Sequence, residues 1–425
     1  MIESTLVQNQ QLKAGAGRAA IEFPPSIFPI EGYERLLDQP QVRILLLEAN
    51  IQLAIVSVDI TSIPTEIIAD FKKIASQTAK IPEENILICA THTFSMPHFM
   101  PEQICKTTAD KHQNEILFNL YKSAIQKAAQ IARTEMKEAR FGYETGTCDI
   151  NINRDILTKD GWWLGSNEIG PSDKTVIVLR FDDLEGRPIS ILFNYAVQPS
   201  VLDGSLTLNG AKLLSADLAG AASRLIEQEF EGKTVAIFFI GAAGDQAPLH
   251  KSKQNYLDAN GNVEVKDFHE EGIILAESLG RLLGAEVLRV SKEIHSQPLK
   301  SAIKLESHSV RCPGQRMPME IQSIKPTKSY NFRPDEDRDE PFEILTIGPV
   351  ALVCLRPELT NQTASEIKRG SSFPITMVLT MVNGAAKYMP DQSAYDRLTY
   401  EAMNSPFGCG SAELLREKII QVLNR

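Results

Sequence analysis

Apolar residues in this chain gather in short runs separated by polar segments. The runs QVRILLLEA from Gln41, IQLAIVSV from Ile51, NILICA from Asn85, TVIVLRF from Thr175, ISILFNYAV from Ile189, TVAIFFI from Thr234, EILTIG from Glu343, VALVCL from Val350 and ITMVLTMV from Ile375 are mostly β-branched and bounded by Gly, Pro or Asp. They read as strands, and the ones apolar throughout read as strands covered on both faces. Between them, helical spacing of apolar positions predicts helices over 64–78, 111–138, 215–231, 270–290 and 411–424. Strands alternating with helices predict an α/β fold. The neighbouring strands at 41–58, 175–197 and 343–355 read as hairpins, with turns such as DDLEGR and IGP. The expected core is therefore a mixed β-sheet flanked by helices, in one large domain over residues 1–425.

Two polar segments interrupt the pattern, 157–174 with both tryptophans, and 311–341, rich in Pro and charge. Loops of such length in compact domains are functional lids or disordered, so both are expected to be loops. The 425 residues carry a net charge of −10, which argues against non-specific nucleic-acid binding, and no Lys/Arg run marks a basic patch. The expected partner is a small-molecule substrate or ligand. MIESTLVQNQQLKAG lacks the layout of a secretory signal, and no apolar run is long enough to span a bilayer. No stable membrane insertion is expected. Six cysteines stand apart without a CxxC pair, as buried reduced thiols of a cytoplasmic protein would.

Polar groups collect at the ends of several strands. NILICA runs into ATHTFSMPH, with His92, Phe94, Ser95 and His98. ISILFNYAV runs into QPSVLDGS, with Gln198, and VALVCL into RPELT, with Glu358. TVAIFFI ends in GAAGDQAP, a small-residue turn with Asp245 and Ala247. Such a turn brings a backbone close to a ligand or simply reverses the chain; alone it does not decide. Four strand ends of the same kind suggest one converging site on a rigid sheet. GAGRAA, from Gly15, fits GxGxxA but lacks the preceding strand and following helix of a dinucleotide fingerprint, so a tight glycine turn is expected there.

In chain order, GAGRAAIEFPP, VSVDI, ATHTFSMPH, NINRD, NYAVQPS…SADLAG, FIGAAGDQAP, LRPEL and NGAAKYMPDQSAYDRLTYEA resemble the N-terminal domain of neutral ceramidases, the small bacterial relatives most of all. The resemblance covers nearly the whole chain. It implies an α/β fold with a zinc ion at the bottom of a pocket, where it activates water for attack on an amide. His92 and Glu358 match metal ligands of that family. Arg154, Asp245 and Tyr388 match residues assigned to catalysis around the pocket. The C-terminal immunoglobulin-like domain of secreted members has no counterpart in these residues.

The departures fall on the same motifs. The second histidine of the family's THTHSGP is Phe94, the other zinc histidine is Gln198, the serine of GDxSP is Ala247, and the first of two tyrosines is Ala385. Phe94, Gln198, Ala247 and Ser95 are then expected to line a substrate pocket. Catalytic zinc takes three protein ligands and an open position. Two remain here, unless His98, His250 or Asp59 rebuilds the set. Two functions follow. One is a ceramidase-like hydrolase of amide or related bonds with a degenerate zinc site, ceramide itself not being assigned. The other is a catalytically inactive protein that binds a small ligand in the same fold.

Overall fold

Three sheets carry the strands read from the sequence. The structure, a computed structural model, describes residues 11–100, 105–318 and 323–425. The first sheet runs, in spatial order, Ile86–Ala90, Gln52–Val58, Gln41–Glu48, Lys13–Ala20 and Lys137–Glu138. The second runs Val235–Ile240, Pro188–Tyr195, Thr175–Asp182 and Arg140–Thr147. The third runs Lys304–Gln315, Pro334–Ile347, Val350–Leu355 and Ile375–Leu379. All three are mixed. The expected hairpins pair antiparallel, and each sheet also holds a parallel pair: 52–58 with 86–90, 188–195 with 235–240, and 350–355 with 375–379.

The described helices are α1 (Thr65–Ala79), α2 (Thr108–Thr134), α3 (Asp217–Glu229), α4 (Glu271–Glu293), α5 (Asn361–Gly370), α6 (Gln392–Arg397), α7 (Tyr400–Met403) and α8 (Ser411–Leu423). Periodicity located all but α5, α6 and α7, which are too short for a helical stripe to register. None of the described helices is long and apolar enough to cross a membrane.

Strand alternation divides the core into an inner and an outer part. Along Gln41–Glu48, Val42, Ile44 and Leu46 face a cluster with Phe71 of α1 and Leu117 and Tyr121 of α2. Leu45 and Leu47 face the other way, onto Leu179, Leu192 and Ile237 of the second sheet and Leu345, Leu352 and Leu379 of the third. The inner core is thus shared by all three sheets. The outer face of the second sheet lies under α3 and α4, and that of the third packs on Ile367 of α5 and Leu415 and Ile419 of α8. Being covered on both faces explains the uninterrupted apolar runs.

Three expectations are corrected. GAGRAA is no turn but part of the strand Lys13–Ala20. Its glycines are needed because α2 lies against it: a Cβ on Gly17 would come within 2.3 Å of the Ala128 carbonyl oxygen. The 157–174 segment is largely a hairpin, Asn151–Thr158 with Gly161–Asn167. The Arg397 guanidinium sits 4.8 Å over the Trp162 ring, and Trp163 meets Tyr400 edge-on. Of 311–341, the ends extend the strands Lys304–Gln315 and Pro334–Ile347, while 319–322 lie outside the described residues. The run PDEDRDE reads as a loop because it lacks apolar residues. It pairs as a strand through its backbone, with Arg311 reaching Asp339 across the ladder at 3.1 Å.

Candidate active site

The C-terminal ends of all three parallel pairs meet. Thr61 follows the strand ending at Val58, His92 follows Ala90, Gln198 follows Tyr195, Asp245 follows Ile240, Glu358 follows Leu355, and Met381 and Tyr388 follow Leu379. Backbone bonds stitch the ends together. Ala90 N–H donates to Met381 O and Thr91 N–H to Val58 O, at 3.1 and 2.9 Å. Glu358 and Tyr388 face each other as parallel register partners.

Side chains hold the ATHTFSMPH loop. Thr61 Oγ1 donates to Thr93 O at 2.7 Å, Thr93 Oγ1 to Ser215 O at 3.0 Å, and Tyr33 Oη to Phe94 O at 3.1 Å. These bonds sustain a left-handed His92 (φ +64°), a conformation uncommon outside glycine. Met381, Asn383 and Lys387 are left-handed as well. Such residues concentrate at functional sites, where the surroundings over-determine them.

A cavity of about 590 Å³ opens over this junction. His92, Glu358, Tyr388, Tyr400 and Asn404 line its polar side; Phe94, Phe99, Met100, Met381 and Ala385 line its apolar side. His92 Nδ1 lies 2.5 Å from Thr61 O, and a carbonyl only accepts, so this nitrogen carries a proton. Its Nε2 is 3.2 Å from Glu358 Oε2, an electrostatic contact rather than an aligned hydrogen bond. Gln198 Nε2 donates to the same oxygen at 2.8 Å. Arg154 Nη1 donates to Gln198 Oε1 at 2.8 Å, and Arg154 Nη2 reaches Glu401 Oε1 at 2.6 Å. The guanidinium also lies 5.3 Å from the centre of the Tyr388 ring. Burial pushes the Glu358 carboxyl up, but His92, Arg154 and Lys387 outweigh it and hold it below the usual carboxylate range. Burial pushes the Tyr388 phenol far up, so it stays a proton donor.

The structure brings His92, Phe94, Glu358 and Tyr388 to the cavity wall, with Gln198 and Arg154 directly behind the floor. Asp245 is elsewhere. Its carboxylate accepts from the Asn361 backbone at the start of α5 and from Asn153 and Gln246, at 2.8, 3.1 and 3.1 Å. It joins a helix end to a strand and does not touch the cavity. Burial is the largest influence on it and raises its pKa to about 6. Ala247 is buried opposite Ile152 and does not line the large cavity. Gly244 serves the chain itself, since a Cβ there would meet Leu359 O at 2.8 Å. Ser95 faces a separate cavity of about 150 Å³, with Tyr33, Lys212 and His269. Phe94 and His98 border both spaces.

The rebuilt metal set is not assembled. His98 pairs with Glu31 at 2.8 Å, Asp59 with Arg43 at 3.3 Å, and His250 is exposed. Among the described residues no group of three His, Cys, Asp or Glu side chains is placed to hold a metal. The chemistry of the donors agrees. His92 and Glu358 offer two ligands, and the third position presents an amide N–H to Glu358 instead of a lone pair. The residues present do not fit a catalytic zinc ion.

Thr61, Tyr400, Glu401 and Asn404 belong to the site and were not singled out in the sequence. Tyr400 and Glu401 lie inside the stretch NGAAKYMPDQSAYDRLTYEA that carries Tyr388, and Asn404 comes just after it, which was the available signal.

The model of the neutral/alkaline non-lysosomal ceramidase N-terminal family matches residues 42–260. The chain belongs to that family. Two solved structures are similar across almost all of it. A neutral ceramidase from Pseudomonas aeruginosa has a TM-score of 0.74 at 16% identity, covering 97% of this chain and 74% of that one. A ceramidase complexed with C2 has a TM-score of 0.75 at 15% identity, covering 98% and 75%. This chain shares that fold over nearly its whole length and spans about three quarters of each of those two chains.

Proposed function

We propose that this family member is a hydrolase of amide or related bonds, acting on a small amphipathic molecule held in the large cavity. The observation that carries the reading is the floor itself: a buried carboxylate and imidazole 3.2 Å apart, with a neutral phenol beside them, in a cavity that also presents the apolar Phe94, Phe99, Met100, Met381 and Ala385. The ligand in the related ceramidase complex supports a small-molecule occupant. Glu358 Oε2 is occupied by Gln198 and His92, which leaves Oε1 for a water. Glu358 takes the proton as the water oxygen bonds to the carbonyl carbon. Tyr388 donates to the oxygen that becomes negative, with the Arg154 charge behind its ring. The C–N or C–O bond then breaks, and the proton passes to the leaving atom.

A second reading, a ligand-binding protein without turnover, is favoured by the apolar Phe94 on the cavity wall and by the amide bound to Glu358. A panel of N-acyl and O-acyl chromogenic substrates separates the two. A hydrolase turns over at least one of them, and Glu358→Gln lowers that rate by about 10²–10⁴-fold, the usual contribution of a general base. Saturable binding of the panel with no turnover supports the second reading and overturns the first.

A further inference from the structure

Gln198 stands where the family resemblance implies an imidazole, between two groups of fixed polarity. A guanidinium can only donate, and Arg154 Nη1 donates to Gln198 Oε1 at 2.8 Å. An ionised carboxylate can only accept, and Glu358 Oε2 accepts from Gln198 Nε2 at 2.8 Å. The amide therefore has one orientation. Its oxygen is committed to Arg154, and its N–H points to the oxygen that a metal shared by His92 and Glu358 would need. Rotating it would set N–H against guanidinium and carbonyl oxygen against carboxylate, two repulsions at once.

Arg154 is itself pinned. Its Nε donates to Glu401 Oε1 at 2.8 Å, its ring partner is Tyr388, and Glu401 is 1% exposed. On the other side, the Phe94 ring stands edge-on to the His92 ring, 4.7 Å away. The result is one continuous chain of contacts, Glu401–Arg154–Gln198–Glu358–His92–Thr61, that closes the floor.

We propose that Arg154 and Gln198 take the place of the metal ion: the guanidinium, acting through an amide locked in one orientation, balances Glu358, and the floor works without a bound divalent cation. Gln198 is a positioning residue in this arrangement. The inference concerns the same floor as the hydrolase reading, but it is decided by bound metal and not by turnover, so either can fail alone.

The test is metal content by mass spectrometry of the full chain, equilibrated with zinc chloride and dialysed, together with its thermal midpoint with and without EDTA. The wild type is expected to hold no stoichiometric zinc and to melt at the same temperature with the chelator. Phe94→His, which returns one imidazole but keeps the amide lock, is expected to stay empty. Phe94→His/Gln198→His, checked for native circular dichroism, is expected to hold one zinc per chain and to gain thermal stability from it. One zinc per wild-type chain, removed by EDTA with a fall in midpoint, overturns the proposal. So does loading of Phe94→His alone, or a folded double variant that stays empty. If the double variant does not fold, the wild-type measurement still decides.

Discussion

At the scale of single residues, the molecule keeps several carboxyl groups away from water, and their proton affinity becomes a property of the fold. Asp217 opens α3 with a left-handed backbone (φ +54°) and is 1% exposed. Its carboxylate accepts from the N–H groups of Val201, Leu202 and Leu218 at 3.2, 3.0 and 2.7 Å. Burial outweighs these bonds and raises its pKa to about 6. The folded chain then binds this proton more tightly than the unfolded chain does. The resulting stability is fully present below the ordinary aspartate pKa of about 3.9 and is lost as pH rises through about 6. From pH 4 to pH 7 the loss is on the order of 2–3 kcal/mol. Asp217→Asn removes the titration, and asparagine tolerates the left-handed backbone. The variant is expected to be less stable at every pH, since it loses acceptors, but with a flatter dependence between pH 4 and 7. Urea midpoints at several pH values check this; equal slopes in wild type and variant would refute it. Asp245 keeps some slope in both proteins, because its pKa is raised to about 6 as well.

At the scale of elements, the close approach of α2 to the first sheet explains GAGRAA better than any ligand does. Gly17→Ala would push a Cβ into the Ala128 carbonyl oxygen and the Ala132 nitrogen, which are backbone atoms without freedom to turn. Overpacking of this kind costs about 1–3 kcal/mol, read as a lower urea midpoint with an unchanged slope. A variant as stable as the wild type would show that α2 shifts freely on the strand. The same pair of elements shows where the sequence stops being legible. Long strands and helices could be read because each buries its apolar pattern in full view, as Val42, Ile44 and Leu46 do against Leu45 and Leu47. Gly15 and Gly17 could not, because the helix that requires them lies over a hundred residues away. The site divides in the same way. His92, Glu358 and Tyr388 were legible from strand ends and motif order. The role of Asp245 was not, because its partners Asn153 and Asn361 come from segments that nothing in the sequence ties to it. The direction of the Gln198 amide was equally hidden, since it depends on Arg154 and Glu358 from two further segments.

At the scale of the whole molecule, one inner core supports three sheets, and those sheets supply the five strand ends that carry Thr61, His92, Gln198, Glu358 and Met381 at or directly behind the cavity floor. No sheet can lose its inner face without exposing the inner faces of the other two. Unfolding should therefore be cooperative across the core and the site. The chain offers a local reporter, because its two tryptophans, Trp162 and Trp163, lie on the small hairpin beside the site, against Arg397 and Tyr400. Far-ultraviolet circular dichroism reports on all three sheets instead. Leu192 lies in the inner core and is fully buried, so Leu192→Ala should cost about 2–5 kcal/mol through lost burial and the cavity left behind. Although Leu192 touches neither tryptophan, the substitution is expected to lower the fluorescence and dichroism midpoints by the same amount, with the two curves superimposed. A dichroism curve that moves while the fluorescence curve stays in place would mean that the site wall folds on its own. In that case the convergence of strand ends would be a meeting of separate units, and the cavity floor would owe its geometry to local contacts such as the Arg154–Glu401 pair.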